Sequence, residues 1–197
     1  GRDGEAANAW MAYGLGDVVN QRRMIDESPA DDAYKQVMRD KLDALLALAE
    51  SPGCRRVRIL GYFGQASGEC GNCDNCLHPP ARIDATENAR KLLSCLYRIQ
   101  QAGDLRFGAG HVMDILRGKR SDKVLQHGHD QLSTFGIGAE LGEPQWRALM
   151  RQLIARGAIR VDAAHFNTLQ LDAGAKPILR GEETVWLQQN KQTTGAK

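Results

Sequence analysis

Apolar residues at helical spacing dominate the first half of the chain. Between Asp31 or Asp32 and Glu50 they recur every three or four positions, with charged residues between them. Such spacing places them on one face of an amphipathic helix. The residues of this stripe are Tyr34, Val37, Met38, Leu42, Leu45, Leu46 and Ala49. Ser51-Pro52-Gly53 follows the stripe and predicts where the helix ends.

Shorter helices are predicted on both sides of this long one. Residues 5–27 indicate two helices broken around Gly14 and Gly16, because glycine is a poor helix former. A further helix follows Cys54 and ends at Tyr62-Phe63-Gly64. The pattern therefore predicts a helical hairpin whose second arm leads into a cysteine-rich loop.

Three more amphipathic helices are predicted in the second half of the chain. The first runs from Asp84 to about Gln101, and Asp84-x-x-Glu87 has the form of a capping box. A short helix covers residues 111–116. A longer helix starts at Glu143-Pro144, since proline is favoured in the first helical turn. Its buried stripe is predicted to be Trp146, Leu149, Met150, Leu153 and Ile154.

Two segments after the last helix alternate like strands, residues 158–161 and 168–171, with a short link between them. The order helix, short helix, longer helix and hairpin is that of a winged helix, in which the last helix lies against nucleic acid. We therefore expect a mainly α fold. A helical zinc-binding subdomain would be followed by a winged-helix domain with a small β-hairpin.

The boundary between the two units is predicted at Leu77-His78-Pro79-Pro80, because consecutive prolines prevent a helix from continuing and stiffen the connection. Residues 1–80 would form the helical subdomain and residues 81–187 the winged helix. Residues 188–197 are polar throughout most of their length and are expected to form a linker or tail.

Four of the five cysteines lie within 23 positions, Cys54 and the run from Cys70 through Cys73 to Cys76. Four thiolates can complete the tetrahedral shell of a structural Zn²⁺. Two alternatives stay open. The run also begins an iron–sulfur signature, but that signature continues with a further cysteine and a proline, which this chain lacks. A disulfide framework is the other alternative, and it is disfavoured because Cys95 makes the number of cysteines odd.

The composition and charge of the chain indicate its compartment and the kind of partner it binds. The chain is 42% apolar and a quarter charged, as soluble domains are. No apolar run approaches the ~20 residues of a membrane span, and no charged leader followed by an apolar stretch opens the sequence. We therefore expect a reducing cytosol and no membrane partner. Net charge is +2, but residues 84–180 carry 14 Lys and Arg against 10 Asp and Glu. This excess favours a polyanionic partner.

Several motifs together resemble one family, the RecQ DNA helicases of the bacterial type, over about residues 1–187. Those of the first half resemble its zinc-binding subdomain: Cys54-Arg55-Arg56, Tyr62-Phe63-Gly64, the run 70–76 and Pro79-Pro80. Those of the second half resemble its winged helix: residues 106–110, 117–118, 128–132, 135–138, 151–154 and 179–182. Gln65 departs from the family, which commonly has Glu there.

The resemblance implies a role as the duplex-binding or junction-binding region of an ATP-dependent 3′–5′ DNA helicase in repair, recombination and replication. Gly1-Arg2-Asp3-Gly4 resembles the end of the last helicase motif, in which the arginine at Arg2 acts at the phosphates of the nucleotide. No G-x-x-x-x-G-K-[ST] phosphate loop is present. The chain therefore cannot hydrolyse ATP by itself, and ATP and Mg²⁺ belong to the parent helicase.

The resemblance also implies partners: double-stranded or branched DNA, the helicase core of the parent chain and a single-strand DNA-binding protein. It implies a bacterial cytoplasm, at the nucleoid. The alternative is a sequence-specific transcription regulator with a zinc knot and a winged helix. Such a regulator would usually carry a dimer interface or an effector domain, and the sequence shows neither.

Eight residues are candidate DNA contacts. Positive and hydroxyl side chains precede the middle loop and suit phosphate oxygens. Two arginines four positions apart share a face of the last helix, away from its apolar stripe. A histidine and a phenylalanine lie at the predicted wing tip, where an aromatic ring can stack on a terminal base pair. The set is Lys119, Arg120, Ser121, Lys123, Arg147, Arg151, His165 and Phe166.

Overall fold

A computed structural model describes residues 7–103, 105–162 and 165–189. Four helices make up the first unit: α1 (Leu15–Asp26), α2 (Asp32–Glu50), α3 (Arg55–Tyr62) and α4 (Asp74–Leu77). The long helix predicted from the apolar stripe is confirmed. Asp31 begins it by accepting a 2.7 Å hydrogen bond from the backbone N–H of Tyr34, which satisfies one of the free donors of the first turn.

The prediction of two helices before α2 is wrong for the described residues. Residues 7–14 are not helical, and α1 alone follows them. It begins just after Gly14, whose N–H donates a 2.7 Å hydrogen bond to Oδ2 of Asp17. Gly14 and Gly16, two positions apart, weaken a helix here, so the chain enters α1 through a closed cap and the helix does not extend upstream.

Helices α1 and α2 are joined by ion pairs between their facing sides. Arg22 pairs with Asp43, and Arg39 donates from Nε to Oδ1 of Asp26 at 2.9 Å. Leu15 and Val18 of α1 are buried, as is Leu46 of α2. The hairpin therefore buries one narrow seam and leaves much of the predicted stripe on the surface.

The second unit is a winged helix, as predicted. Its elements in order are β1 (Ala81–Asp84), α5 (Thr86–Ala102), α6 (Ala109–Leu116), α7 (Asp122–Gln126), a 3₁₀ turn (His129–Gln131), α8 (Glu143–Ala155), β2 (Ile159–Asp162), β3 (Thr168–Leu171), α9 (Ala175–Arg180) and β4 (Trp186–Gln189). Strands β2 and β3 form the antiparallel wing, with Ile159 opposite Leu171 and Asp162 opposite Thr168.

The ribbon formed by β1 and β4 was not predicted. Ala81 pairs with Gln189 and Asp84 with Trp186, so the two ends of the unit lie side by side. The N–H of Val185 donates to Oγ1 of Thr86 at 2.9 Å, which fixes the ribbon to the start of α5. Strand β4 extends two residues into the segment predicted as a polar tail, and residues 190–197 lie outside the described residues.

The predicted capping box at the start of α5 is wrong. Asp84 belongs to β1, and the helix follows Ala85. Oδ1 of Asp84 still accepts a 2.8 Å hydrogen bond from the N–H of Thr86, two residues further on, and Glu87 pairs with Arg90 instead of reaching back. Strand pairing with β4 therefore determines where the helix starts.

The core of the winged helix is assembled from α5, α6, α8, α9 and the wing. Its largest fully buried side chains are Trp146, Leu92, Leu93, Leu96, Ile115, Leu116, Leu149, Met150, Leu153, Ile154, Ile159 and Ile178. Trp146 donates from Nε1 to the carbonyl oxygen of Gly138 at 3.1 Å. A Cβ atom at Gly138 would lie 2.3 Å from Cζ2 of Trp146, so this contact requires glycine. The predicted stripe of α8 is confirmed as core.

Candidate metal centre and nucleic-acid interface

The four clustered cysteines meet at one point between α3 and α4. Cys54 precedes α3, Cys73 precedes α4, Cys76 lies within α4, and Cys70 lies on the loop between them. All four Sγ atoms are within 4.8 Å of one another, and those of Cys70 and Cys76 are 4.0 Å apart. Tetrahedral Zn–S bonds of ~2.3 Å place sulfurs roughly 3.8 Å apart. The spacing of the four cysteine sulfurs therefore matches the ligand shell of a single tetrahedral metal ion.

Arg55 holds the cysteine loop against the end of α2. Its Nε and one terminal nitrogen donate to the two oxygens of Asp74 at 3.0 and 2.9 Å, and its other terminal nitrogen donates to backbone carbonyls at the end of α2, including that of Ala49 at 2.9 Å. The pKa of Asp74 is lowered by this pairing. The backbone N–H of Arg55 also points at Sγ of Cys73, at 3.5 Å.

Asn75 closes the same loop from inside. Its side chain is buried, and Nδ2 donates to the carbonyl oxygens of Ser51 and Gly53 at 2.8 Å each. Ser51 and Gly53 precede Cys54, so Asn75 ties the two cysteine-bearing segments together. Neither Arg55 nor Asn75 was predicted as a site residue. Both residues stand next to a cysteine within motifs quoted for the family resemblance, and that position was the signal in the sequence.

The electrostatics of the sulfurs favour a bound cation. Backbone N–H groups lower the pKa of Cys54 to about 6, chiefly that of Val57, and the N–H of Arg55 lowers the pKa of Cys73. Desolvation and the neighbouring sulfurs raise the pKa of Cys76 to about 12. Without a cation the four thiols cannot all ionise in so small a space, whereas a divalent ion offsets their mutual repulsion. The residues therefore fit Zn²⁺.

The alternatives to a single ion fit less well. All five cysteines are free, and 4.0 Å between Sγ atoms is about twice the length of a disulfide bond. An iron–sulfur cluster separates its cysteines by several iron and sulfide atoms, which a spread of 4.8 Å does not accommodate. His78 is exposed beyond α4, and Cys95 is buried in α5, so neither joins the group.

The candidates before the middle loop surround the start of α7. Lys119 is exposed and its Nζ lies 3.5 Å from Oδ1 of Asp114, and Arg120 is also exposed. Ser121 precedes α7, and its hydroxyl oxygen is buried with no hydrogen-bond partner among the described residues. Nζ of Lys123 lies over the Phe107 ring, 5.4 Å from its centroid. Lys119 and Arg120 are thus the cations of this group most open to a ligand.

Arg147 lies on the surface at the start of α8, as predicted. It donates from Nε to Oε1 of Glu143 at 2.9 Å, and Arg117 approaches the other oxygen of the same carboxylate at 3.8 Å. The end of α6 and the start of α8 therefore bring two arginines to one acidic side chain. Arg117 belongs to one of the motifs that resemble the family's winged helix, but no role was predicted for it from the sequence.

The prediction that Arg151 is exposed beside Arg147 is wrong. Its side chain is only 20% exposed, and Nε donates to Oε1 of Glu50 at 3.1 Å. The guanidinium also lies over the ring of Tyr13, 5.7 Å from its centroid, and the Tyr13 hydroxyl donates to the same Glu50. Burial raises the pKa of Tyr13, so the phenol stays a donor. Arg151 thus belongs to the contact between α8 and the helical subdomain.

The wing tip presents its aromatic residue to solvent. Phe166 is 95% exposed, and both Phe166 and Asn167 have left-handed backbone, with φ of 56° and 58°. Asp162 braces the turn, because its Oδ2 lies 3.0 Å from Nδ1 of His165 and accepts from Gln170 at 2.8 Å. The remaining tip residues, 163 and 164, lie outside the described residues, as does Arg2.

An apolar groove runs between α2 and α3. It encloses about 650 Å³ and is lined mainly by α2 and α3 residues such as Leu45, Leu48, Val57, Tyr62 and Phe63. Phe63 is 76% exposed. Leu45, which lines this groove, belongs to the apolar stripe predicted for α2. Within the described residues, no helix is long and apolar enough to cross a membrane.

Comparison with known proteins agrees with both units. The RecQ zinc-binding family model matches residues 15–77, and the RQC domain model matches residues 79–195. The chain is similar to ATP-dependent DNA helicase RecQ of Pasteurella multocida, with 41% identity over 95% of this chain and 29% of the relative. The corresponding helicase of Haemophilus influenzae is 38% identical over 95% of this chain and 30% of its own length.

A more distant relative is the RecQ helicase of Bacillus subtilis, 32% identical over 94% of this chain and 31% of the relative. The chain thus spans about 30% of the length of the bacterial helicases it matches. The RQC model alone accounts for more than half of the chain. The chain belongs to the RecQ helicase family and corresponds to that family's zinc-binding and RQC region.

Proposed function

We propose that this region binds double-stranded or branched DNA for an ATP-dependent 3′–5′ DNA helicase that acts in repair, recombination and replication. The observation that carries the proposal is the pairing of Arg117 and Arg147 around one carboxylate, Glu143. Two guanidiniums and one carboxylate leave an excess positive charge at the start of α8, the helix that faces DNA in winged-helix proteins. Lys119 and Arg120 extend that charge along the surface.

Contacts of this kind recognise phosphates and carry little sequence information. Arginine and lysine side chains at the surface of α8 and before α7 would release counterions from the duplex, and affinity would depend steeply on salt. Ser121 and Lys123 join this surface only if their side chains turn outward from the positions described above. We therefore propose Lys119, Arg120 and Arg147 as the main phosphate contacts, with Arg117 beside them.

Phe166 is proposed as the residue that meets the end of the duplex. An exposed ring on a turn of left-handed residues offers a flat apolar face to a terminal base pair, and such stacking is sequence-tolerant. His165 would support it through its contact with Asp162. The wing is short, with four residues in each strand, so we propose stacking at a junction and not deep insertion between strands.

The metal site is proposed to be structural. Cys54, Cys70, Cys73 and Cys76 would fill all four positions of Zn²⁺, so no water is activated there. Arg55 and Asn75 would keep the two cysteine-bearing segments in register through their hydrogen bonds to backbone carbonyls. The ion would thereby hold α3 and α4 against α2, where few buried apolar side chains are available to do so.

The remaining partners are proposed for the parent protein. Its helicase core would bind ATP and Mg²⁺, with Arg2 at the nucleotide phosphates, and would cover apolar surface of the helical subdomain such as the groove at Phe63, because contiguous exposed apolar surface usually marks an interface. A single-strand DNA-binding protein and a cytoplasmic, nucleoid-associated location complete the proposal.

Binding measured with three DNAs tests the central claim. Fluorescence anisotropy at fixed ionic strength should show that a random duplex and a forked duplex bind more tightly than a single strand of equal length. Two unrelated duplex sequences should differ by less than about threefold, because phosphate contacts carry no sequence information. Preference for one duplex sequence by orders of magnitude would support the regulator alternative, and no binding to duplex or fork would refute the proposal.

A further inference from the structure

Two buried histidines of the winged helix are joined to each other. Nε2 of His111, on α6, lies 2.7 Å from Nδ1 of His129, in the 3₁₀ turn after α7. Both side chains are more than nine-tenths buried. A hydrogen bond between two imidazole nitrogens needs a donor on one ring and an unprotonated acceptor on the other. This bond links the two ends of the segment that carries Lys119, Arg120 and Lys123.

An aromatic cluster surrounds the pair. The Phe107 ring stacks on His111 with centroids 4.1 Å apart and an angle of 20° between planes, and it meets the edges of His127 and His129 at 4.9 Å. The rings of His127 and His129 are 5.8 Å apart. Three imidazoles and one phenyl ring therefore fill the space between α6 and the end of α7.

The surroundings of this cluster oppose a positive charge on it. Three groups that face His111 disfavour its protonation, namely His129, His127 and Lys123, and Asp114 alone favours it. On the α5 side, Ile99 and Ala102 are apolar and line a cavity of about 70 Å³ beside the cluster.

Protonation of His111 would also leave a buried N–H group without an acceptor. If Nε2 of His111 donates to His129, the second ring nitrogen of His111, Nδ1, carries a lone pair in the neutral form. That nitrogen is buried and has no partner among the described residues. A protonated His111 would place an N–H there without an acceptor, which is costly in a buried site. Neutral histidines are therefore part of the packing.

We propose that this histidine cluster is a proton-sensitive lock on the segment between α6 and the 3₁₀ turn. The lock is closed while His111 and His129 are neutral and opens that segment as the solution becomes mildly acidic. Its consequence for DNA rests on the proposed function, since the segment carries proposed phosphate contacts. Added positive charge ordinarily strengthens DNA binding, whereas opening of the lock would weaken it by disordering those contacts.

The direction follows from the pKa shifts. Burial, followed by the nearby histidines and Lys123, lowers the pKa of His111 from 6.5 to about 4, and burial lowers the pKa of His129. The open state takes up a proton that the closed state excludes, so the closed state is fully favoured above pH 6.5 and loses stability as pH falls toward 4. One proton with these values makes opening about tenfold more frequent at pH 5.5 than at pH 7.5.

Hydrogen exchange measured by mass spectrometry tests the lock without DNA. After correction for the intrinsic pH dependence of exchange, residues 112–126 should lose about tenfold in protection between pH 7.5 and pH 5.5. The α5 core, residues 92–96, should stay more strongly protected than residues 112–126 at both pH values, because it exchanges only through larger openings of the chain. Zinc content measured at both pH values shows whether the metal site is intact. Equal protection of residues 112–126 at the two pH values would overturn the proposal.

Two variants make the test specific. His111→Phe keeps a ring against Phe107 but cannot take up a proton, so the pH dependence of protection should flatten. His78→Gln removes an exposed imidazole outside the cluster and should leave the pH dependence of protection unchanged. If His111→Phe does not fold, NMR of the imidazole nitrogens in the unaltered protein decides the matter. His111 and His129 should stay neutral at pH 5.5, and protonation of His111 in the closed state at that pH would overturn the proposal.

DNA affinity is then a separate readout. At constant ionic strength, the unaltered chain should bind duplex more weakly at pH 5.5 than at pH 7.5, and His111→Phe should not. A pH-dependent loss of protection with no effect on DNA affinity would support the lock and contradict its proposed consequence for DNA, because affinity falls only in proportion to the fraction of molecules that is open. Failure to bind duplex at either pH would contradict the proposed function alone.

Discussion

Arg151 on α8 and Glu50 at the end of α2 form an ion pair, 3.1 Å between Nε and Oε1, across 101 residues of chain. Both side chains are about four-fifths buried. Tyr13 donates its hydroxyl to the same carboxylate and lies under the guanidinium. The helix that would face DNA is thus attached to the helical subdomain by a charged side chain of its own.

Removing this attachment should lower stability more than removing an exposed pair on the same helix. We expect Arg151→Ala to cost about 1–3 kcal/mol, because Glu50 and Tyr13 lose a partner in a largely buried site. For a chain of this size that corresponds to a fall in melting temperature of roughly 2–12 °C. Arg147→Ala, which breaks the exposed pair with Glu143, should cost less than about 1 kcal/mol. Equal melting temperatures for the two variants would contradict the packing described for Arg151.

Loss of one cysteine ligand should unfold the helical subdomain. Cys73→Ser should abolish binding of the one zinc expected per chain and lower the melting temperature, because the energy of a structural metal is folding energy. Metal analysis by mass spectrometry and a thermal melt measure both effects. Cys95→Ala, in the core of α5, is the matched control and should retain the zinc. A Cys73→Ser protein of unchanged stability would show that the site is not structural.

Arg147 should contribute one phosphate contact. Arg147→Ala should weaken binding to duplexes of any sequence by about fivefold and reduce the slope of log affinity against log salt by about 0.9. Arg156→Ala removes the same charge at the other end of α8, where the side chain lies 2.9 Å from Glu183, and should leave the slope unchanged. The same flattening in both variants would point to net charge and not to a specific contact.

Phe166 should matter only where a duplex ends. Stacking on a base pair is worth about 1–3 kcal/mol, so Phe166→Ala should weaken binding to forks and open-ended duplexes by about 5-fold to 150-fold. Binding to a closed dumbbell without free ends should be unaffected, and Phe166→Trp should retain fork binding. Equal losses on fork and dumbbell would assign Phe166 to the wing fold and not to the junction.

The helices and the metal site were accessible from the sequence because their determinants are local. The stripe of α8 and the cap of α2 each lie within one or a few helical turns, and cysteines two residues apart constrain one loop. The exposed part of the α2 stripe shows the limit of such reasoning. Leu46 is buried and Leu45 is 46% exposed, although both belong to the same periodic pattern. Periodicity identifies an apolar face but not what covers it.

The errors arose where a distant partner determines the outcome. The sequence predicts the helix that carries Arg151, but no residue near Arg151 in sequence indicates that its side chain would be buried in an ion pair with Glu50. Strands β1 and β4 have four residues each and are about a hundred residues apart, so neither is recognisable alone. Asp84 has the form of a helix cap and becomes a strand residue because Trp186 lies opposite.

The ribbon of β1 and β4 has a topological consequence. It brings Ala81 beside Gln189, so the backbone enters and leaves the winged helix through adjacent points. A unit with neighbouring ends can be grafted into a surface loop of a host protein, or have its ends joined and new ones cut elsewhere, without stretching the chain. The winged-helix unit of this chain therefore has the end geometry that such a transfer requires.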